Sequence, residues 1–159
     1  MRELVESDWP EVARIYAEGI ATGDATFESD VPTWERWDTA HPSLRLVAED
    51  AGQVVGWAAL SPYSPRRCYR GVAEESVYVA EAARGRGVGR ILLGELVALA
   101  EEDGYWTLLA GIFPENAASL ALHAALGFRV VGTHVGLGER DGVLRDVLSL
   151  ERRLVTTSR

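Results

Sequence analysis

Apolar residues recur along this chain at two spacings, and the change from one to the other marks its elements. Val12, Ile15, Tyr16 and Ile20 follow the three-to-four spacing of a helix buried along one stripe. Asp8 stands ahead of them as a side-chain cap, with Pro10 in the first turn and Glu11 at the capping-box position. Residues 33–40 form a short helix bearing Trp34 and Trp37. Val88, Leu92, Leu96 and Leu99 place a strong helix over residues 87–102. Asn116 caps a further helix that ends at Leu126-Gly127, where glycine supplies a left-handed stop. Strand spacing is expected over residues 2–6, 75–79, 107–112, 128–135 and 143–150. Residues 44–49 and 54–60 read as a hairpin turning at Ala51-Gly52. Strands and helices alternate only in the middle of the chain, which predicts a mixed sheet covered by helices.

The length of 159 residues corresponds to one domain, residues 1–159, long enough to bury a core. The formal charge of −8 excludes general binding to nucleic acid or to an anionic membrane surface, because both need clustered cations. Any anionic ligand must meet a local group of arginines or backbone amides. Cys68 is the single cysteine, so no intrachain disulfide forms, in keeping with a cytoplasmic protein. No His lies near it in sequence, and it reads as a spectator. The start of the chain is too polar for a signal peptide, and no apolar run approaches a membrane span. Metal-ligand spacings such as Cys-x-x-Cys or His-Glu-x-x-His are missing, so no metal is expected.

The densest chemistry lies between Glu75 and Arg90. A strand runs into Arg84-Gly85-Arg86-Gly87-Val88-Gly89-Arg90, which runs into a helix. Glycines let backbone turn tightly and approach a ligand, and the free N–H groups of a helix start suit a phosphate. The arginines add positive charge to an otherwise acidic chain. Read alone, this is either a phosphate loop or a glycine-rich turn with solvated arginines. The nucleotide-hydrolase loop requires Gly-Lys-Ser/Thr, which does not occur here, and the Rossmann fingerprint requires a different glycine spacing.

The pattern Arg84-x-x-Gly87-x-Gly89 resembles the acetyl-CoA pyrophosphate loop of GNAT acetyltransferases. Downstream, Asn116, Ser119 and His123 share a helical face ahead of Leu126-Gly127-Phe128, and this stretch resembles the family's second motif. Tyr69 and the run from Glu74 to Val79 are similar to the phosphinothricin and methionine sulfone acetyltransferase branch, as is Thr26-Phe27-Glu28. The resemblance implies the GNAT fold, an α/β (α+β) domain with a mixed, mostly antiparallel sheet of about six or seven strands flanked by helices. It implies acetyl-CoA as cosubstrate, held by Val77, Tyr78, Val79, Arg84, Gly85, Arg86, Gly87, Val88, Gly89, Arg90, Asn116 and Ser119. It also implies a small-molecule amine as acceptor and a homodimer.

Within that resemblance Glu74 is the expected general base, with Glu75 the fallback and pointing to the opposite strand face. The peptide N–H near Val79 polarises the thioester oxygen. His123 either serves the departing thiolate or only binds the cofactor or packs. Phe27, Arg66 and Tyr69 are expected at the acceptor, with Arg66 or Arg67 pairing with an acid group. The chain departs from the branch at Val72-Ala73, in a shorter segment from Trp34 to Leu44, and at Gly142-Val143-Leu144-Arg145 before Asp146. These departures surround the acceptor, so a peptide N-terminus or a polyamine remains the alternative substrate. A non-catalytic CoA-binding module is the alternative outside enzymes, and Glu74 argues against it.

Overall fold

The computed structural model describes residues 1–154. Its elements are β1 (Arg2–Glu3), α1 (Trp9–Ala21), α2 (Trp34–Ala40), β2 (Ser43–Asp50), β3 (Gln53–Pro62), β4 (Val72–Val79), α3 (Val88–Glu102), β5 (Thr107–Ile112), α4 (Ala117–Ala125), β6 (Arg129–Arg140) and β7 (Val143–Arg153). They build one seven-stranded sheet in the order β1-β2-β3-β4-β5-β7-β6. Every neighbouring pair is antiparallel except β4 and β5, which α3 connects in parallel. This is the mixed, mostly antiparallel sheet that the sequence led us to expect.

Local chemistry explains most boundaries. The Thr33 hydroxyl accepts from the Arg36 amide and starts α2. Asn116 does the same for α4 through the Ser119 amide. Ala51 and Gly52 both take positive φ, the twist a two-residue hairpin needs, and Asp141-Gly142 repeats this between β6 and β7. Asp8 differs from its expected role. Its carboxylate is taken by the Arg2 guanidinium at 2.7 Å and by the Val5 amide at 2.9 Å, so it ties β1 to the turn before α1 instead of capping the helix.

Alternation along the strands sends side chains into two cores. Leu92, Leu93 and Leu96 of α3 meet Leu46, Ala58, Leu60, Ala73, Leu108, Ala110 and Ile112 on one face, and Leu120, Leu122 and Leu126 around α4 pack there too. On the other face α1 and α2 cover Val47, Trp57 and Ala59 with Val12, Ile15 and Trp37. Truncating a sealed leucine such as Leu93 to alanine in such a core costs about 2–5 kcal/mol. Among the described residues no helix is long and apolar enough to cross a membrane.

Candidate active site

The site begins where the sheet splits. β4 pairs with β5 only from Val72↔Thr107 to Glu74↔Leu109, whereas β5 stays paired with β7 as far as Ile112. Beyond Glu74, the β4 edge that faced β5 has no strand against it among the described residues. A cavity of about 1380 Å³ opens at that divergence. It exceeds the roughly 300–1,000 Å³ of common small-ligand pockets, and so has room for an elongated cosubstrate together with an acceptor.

One end of the cavity suits a pyrophosphate. Gly85 and Gly87 have φ of 73° and 83°, and a side chain at either would stand in open space, so backbone there is free to be approached. Gly87 is the N-cap of α3 with no side-chain cap, and the first turn holds no acidic residue. The helix therefore presents unsatisfied N–H groups and positive dipole to the cavity. Arg84 and Arg90 line the same end. Val77, Tyr78, Val79, Val88, Gly89, Asn116 and Ser119 line the same cavity, so almost all of the cosubstrate residues expected from sequence border it. Arg86 does not. It turns outward from between the two glycines and pairs with Asp50 at 2.7 Å, at the end of β2.

Adjacent glutamates occupy the waist. Ala73 faces the α3 core, so alternation puts Glu75 on that side and Glu74 on the other. Both nevertheless line the cavity, because the cavity passes through the gap between the strands. Glu75 thus lies on the opposite strand face, as expected, and that face also borders the cavity, so it stands in the cavity wall beside Glu74. Glu74 is exposed to the cavity, and its Oε1 lies 3.9 Å from where a Cβ on Gly111 would stand. Crowding by the surrounding walls, then the nearby charge of Glu75, pushes its carboxyl above the usual glutamate range.

Glu75 is buried, and its Oε1 lies 2.6 Å from Nε2 of His123. The other ring nitrogen, Nδ1, lies 2.7 Å from the Ser119 carbonyl, which can only accept, so Nδ1 carries a proton. Burial alone would lower the His123 pKa, but the hydrogen bond and charge of Glu75 with the Ser119 carbonyl outweigh it and raise it. Both ring nitrogens are therefore held by protein groups, and the ring also packs edge-on against Phe128. His123 has no free nitrogen for a departing thiolate in this geometry.

The other end of the cavity is the acceptor side. Phe27 meets Phe113 edge to face at 4.7 Å, and Tyr16, Tyr63, His134, Leu137, Val147 and Ser149 complete the wall. The loop carrying Phe27 is pinned by the last hairpin. Arg140 donates to the carbonyls of Ile20 and Thr26. Arg145 donates to the Gly23 carbonyl at 2.8 Å and pairs with Asp24 and Glu115, each at 2.9 Å, above the Phe113 ring. Arg66 and Tyr69 are not brought to the cavity. A tight turn over Arg67–Tyr69 leaves the Arg66 guanidinium over the Tyr69 ring, and Tyr69 reaches only Tyr63, which does line the cavity. Tyr63, Phe113, His134, Arg140 and Arg145 were not legible from sequence. No local motif marks them, since each acts only through strand register or a contact between distant segments.

Similarity to known proteins agrees with this architecture. Residues 2–128 match the acetyltransferase (GNAT) family. The chain is 37% identical over 163 residues to phosphinothricin N-acetyltransferase of Alcaligenes faecalis, covering 97% of this chain and 82% of that protein. It is 32% identical over 164 residues to the L-methionine sulfoximine/L-methionine sulfone acetyltransferase of Pseudomonas paraeruginosa, covering 99% and 95%. Its fold superposes with a TM-score of 0.89 on the phosphinothricin acetyltransferase of Sinorhizobium meliloti in complex with acetyl-CoA, at 34% identity over 96% of this chain and 86% of that one. The same score and 37% identity relate it to a ribosomal-protein-alanine N-acetyltransferase from Brucella melitensis, over 96% and 98%. With a split sheet, a glycine loop at a helix start and a family match over most of its length, the chain belongs to the GNAT family of acetyl-CoA-dependent acetyltransferases.

Proposed function

We propose that this enzyme acetylates the primary amine of a small amino-acid-like acceptor of the phosphinothricin, methionine sulfone or methionine sulfoximine class. The observation that carries the reading is one continuous cavity holding both the Gly85–Arg90 loop and Glu74, with an aromatic wall beyond them. Glu74 takes a proton from the acceptor ammonium and leaves a neutral amine as nucleophile. Its raised pKa brings it closer to the working pH, which suits a general base. Bound acetyl-CoA supplies an activated acyl group: the new N–C bond forms as the C–S bond breaks, and the second proton of the attacking nitrogen leaves with the sulfur as the CoA thiol. The unpaired edge of β4 near Val79 offers backbone N–H for the oxygen on which charge develops. Arg84, Arg90 and the start of α3 hold the pyrophosphate. His123, with both nitrogens engaged, positions Glu75 and α4 and transfers no proton itself.

Mass spectrometry of products from acetyl-CoA with phosphinothricin, methionine sulfone and methionine sulfoximine tests this. Mono-acetylation on the α-amine is expected. A peptide N-terminus or polyamine turned over far faster than all three overturns the acceptor assignment. That second reading has its own support, because Glu28 and Glu74 line the cavity with no cation paired to them among the described residues, and suit a cationic substrate, whereas Asp24 and Glu115 are taken by Arg145.

We further infer a cytoplasmic homodimer. β6 ends the sheet with no outer neighbour among the described strands, and Val130, Val131, Val135, Leu137, Val143 and Leu144 are exposed on this hairpin. A long apolar edge is a template for association unless it is covered. A second copy is the occupant that the family resemblance favours, and sedimentation velocity at micromolar concentration measures it.

A further inference from the structure

An amino-acid acceptor carries oxygens as well as an amine; the hydroxyls of Tyr16, Tyr63 and Ser149 line the acceptor side of this cavity, but few groups there can donate from a cation or an imidazole. The cationic or potentially cationic residues in the lining are Arg84, Arg90, His123 and His134. Arg84 and Arg90 belong to the pyrophosphate end. Both nitrogens of His123 are occupied by Glu75 and Ser119. Arg140 and Arg145 stand outside the lining with their guanidinium groups spent on the loop, and Arg66 lies over Tyr69. His134 remains. It is exposed on β6 and lines the cavity, and among the described residues its ring enters no hydrogen bond.

Strand register puts His134 in line with the base. Ala110 and Ile112 point into the α3 core, so Gly111 lies on the opposite face, as Glu74 does. Gly111 pairs with Ser149 of β7, and Val147, two residues further along and on the same face, pairs with His134 of β6. A Cβ on Gly111 would lie 3.3 Å from Val147 Cγ1 and 3.9 Å from Glu74 Oε1. The glycine thus leaves an open floor, with Glu74 at one side and Val147 leading to His134 at the other. Gly111 and His134 stand two strand spacings apart and two residues apart along the strands, about 12 Å in all. Two hydrogen bonds of about 2.8 Å and an extended side chain of methionine length fill that span.

We propose that His134 is the specificity-determining residue for the far end of the acceptor, donating a hydrogen bond from its imidazole to a phosphinyl, sulfonyl or sulfoximine oxygen. The assignment rests on the acetyl-transfer reading above and names the part of the acceptor that this chain selects. It also accounts for discrimination without Arg66, because a tetrahedral P=O or S=O group is a strong acceptor even when it carries no net charge.

Initial-rate kinetics with methionine sulfone and with norleucine, which has similar length and no oxygen at the far end, test the assignment. In His134→Leu the preference in kcat/KM for methionine sulfone over norleucine should fall about tenfold, the scale of one lost hydrogen bond. The change should appear in KM, with kcat for methionine sulfone within about twofold of wild type and norleucine unaffected. His134→Gln, which keeps a donor, should recover most of the preference. An unchanged preference in His134→Leu, or equal losses for both amino acids, overturns the assignment. Wild-type enzyme that acetylates neither amino acid, while still turning over a peptide or polyamine, overturns the acceptor reading and this assignment with it. That result is visible before any variant is made.

Discussion

Oε1 of Glu75 and Nε2 of His123 stand 2.6 Å apart with both side chains almost sealed from water, joining β4 to α4 beside the point where β4 leaves β5. Removing one partner of such a pair strands the other in a low-dielectric site, at a cost of about 3–5 kcal/mol. His123→Leu should lower the melting temperature accordingly, and Glu75→Gln, which retains a hydrogen-bonding oxygen, should lower it less. Differential scanning calorimetry of the two variants checks the order.

The same pair makes stability depend on pH. The folded His123 pKa is raised above its ordinary value of 6.5, so the folded state holds this proton more tightly than the unfolded chain. Its contribution is fully present below about pH 6.5 and is lost as pH rises through the raised folded value. Wild-type melting temperature should therefore fall across that window relative to His123→Gln. Parallel curves for the two proteins would contradict a protonated His123.

Glu74→Gln should keep acetyl-CoA affinity and slow transfer by about 10²–10⁴-fold at neutral pH. The deficit should shrink as pH rises, since the acceptor amine is then already neutral. Because the Glu74 carboxyl is raised, the acidic limb of kcat/KM in wild type should lie above the ordinary glutamate value of 4.5. Rate against pH for both proteins decides it, and a wild-type rate for Glu74→Gln at pH 7 removes Glu74 as base.

Gly87 and Gly89 should separate under substitution. Gly87 has φ of 83° and open space around it, so Gly87→Val strains backbone and obstructs the pyrophosphate while leaving the core untouched. Calorimetric titration should show acetyl-CoA affinity reduced at least about tenfold. A Cβ on Gly89 would instead lie 3.3 Å from Leu122 and 3.5 Å from Val79. Gly89→Val overpacks α3 against α4 and β4, and should cost stability of about 1–3 kcal/mol as well as binding.

Arg145→Met should free the loop that carries Phe27 without touching the pyrophosphate end, because it removes the links to Gly23, Asp24 and Glu115. KM for the acceptor should rise about tenfold through lost positioning. Affinity for acetyl-CoA should stay at the wild-type value.

What could be read from sequence was whatever short-range chemistry decides. The stripe Val88, Leu92, Leu96 specifies α3, Asn116 specifies the start of α4, and Ala51-Gly52 specifies a hairpin, since each acts within a few residues of itself. The glycine loop opening α3 belongs to the same class, and the lining residues Gly85, Gly87 and Gly89 follow from it. Residue type in sequence could not tell Arg84, at the cavity, from Arg86, on Asp50, because a long flexible cation goes where tertiary structure places an anion. Arg66 and Tyr69 lie off the cavity lining for a related reason: the turn between them sets the Arg66 guanidinium over the Tyr69 ring. Only the assembled sheet decided the chemistry at the waist. Alternation correctly sends Glu74 and Glu75 to opposite faces, but pairing between β4 and β5 stops at Glu74↔Leu109, so the cavity passes through the sheet and both carboxylates line it. Strand pairing joins residues far apart in the chain, and where it stops depends on how whole elements pack rather than on the residues beside the gap.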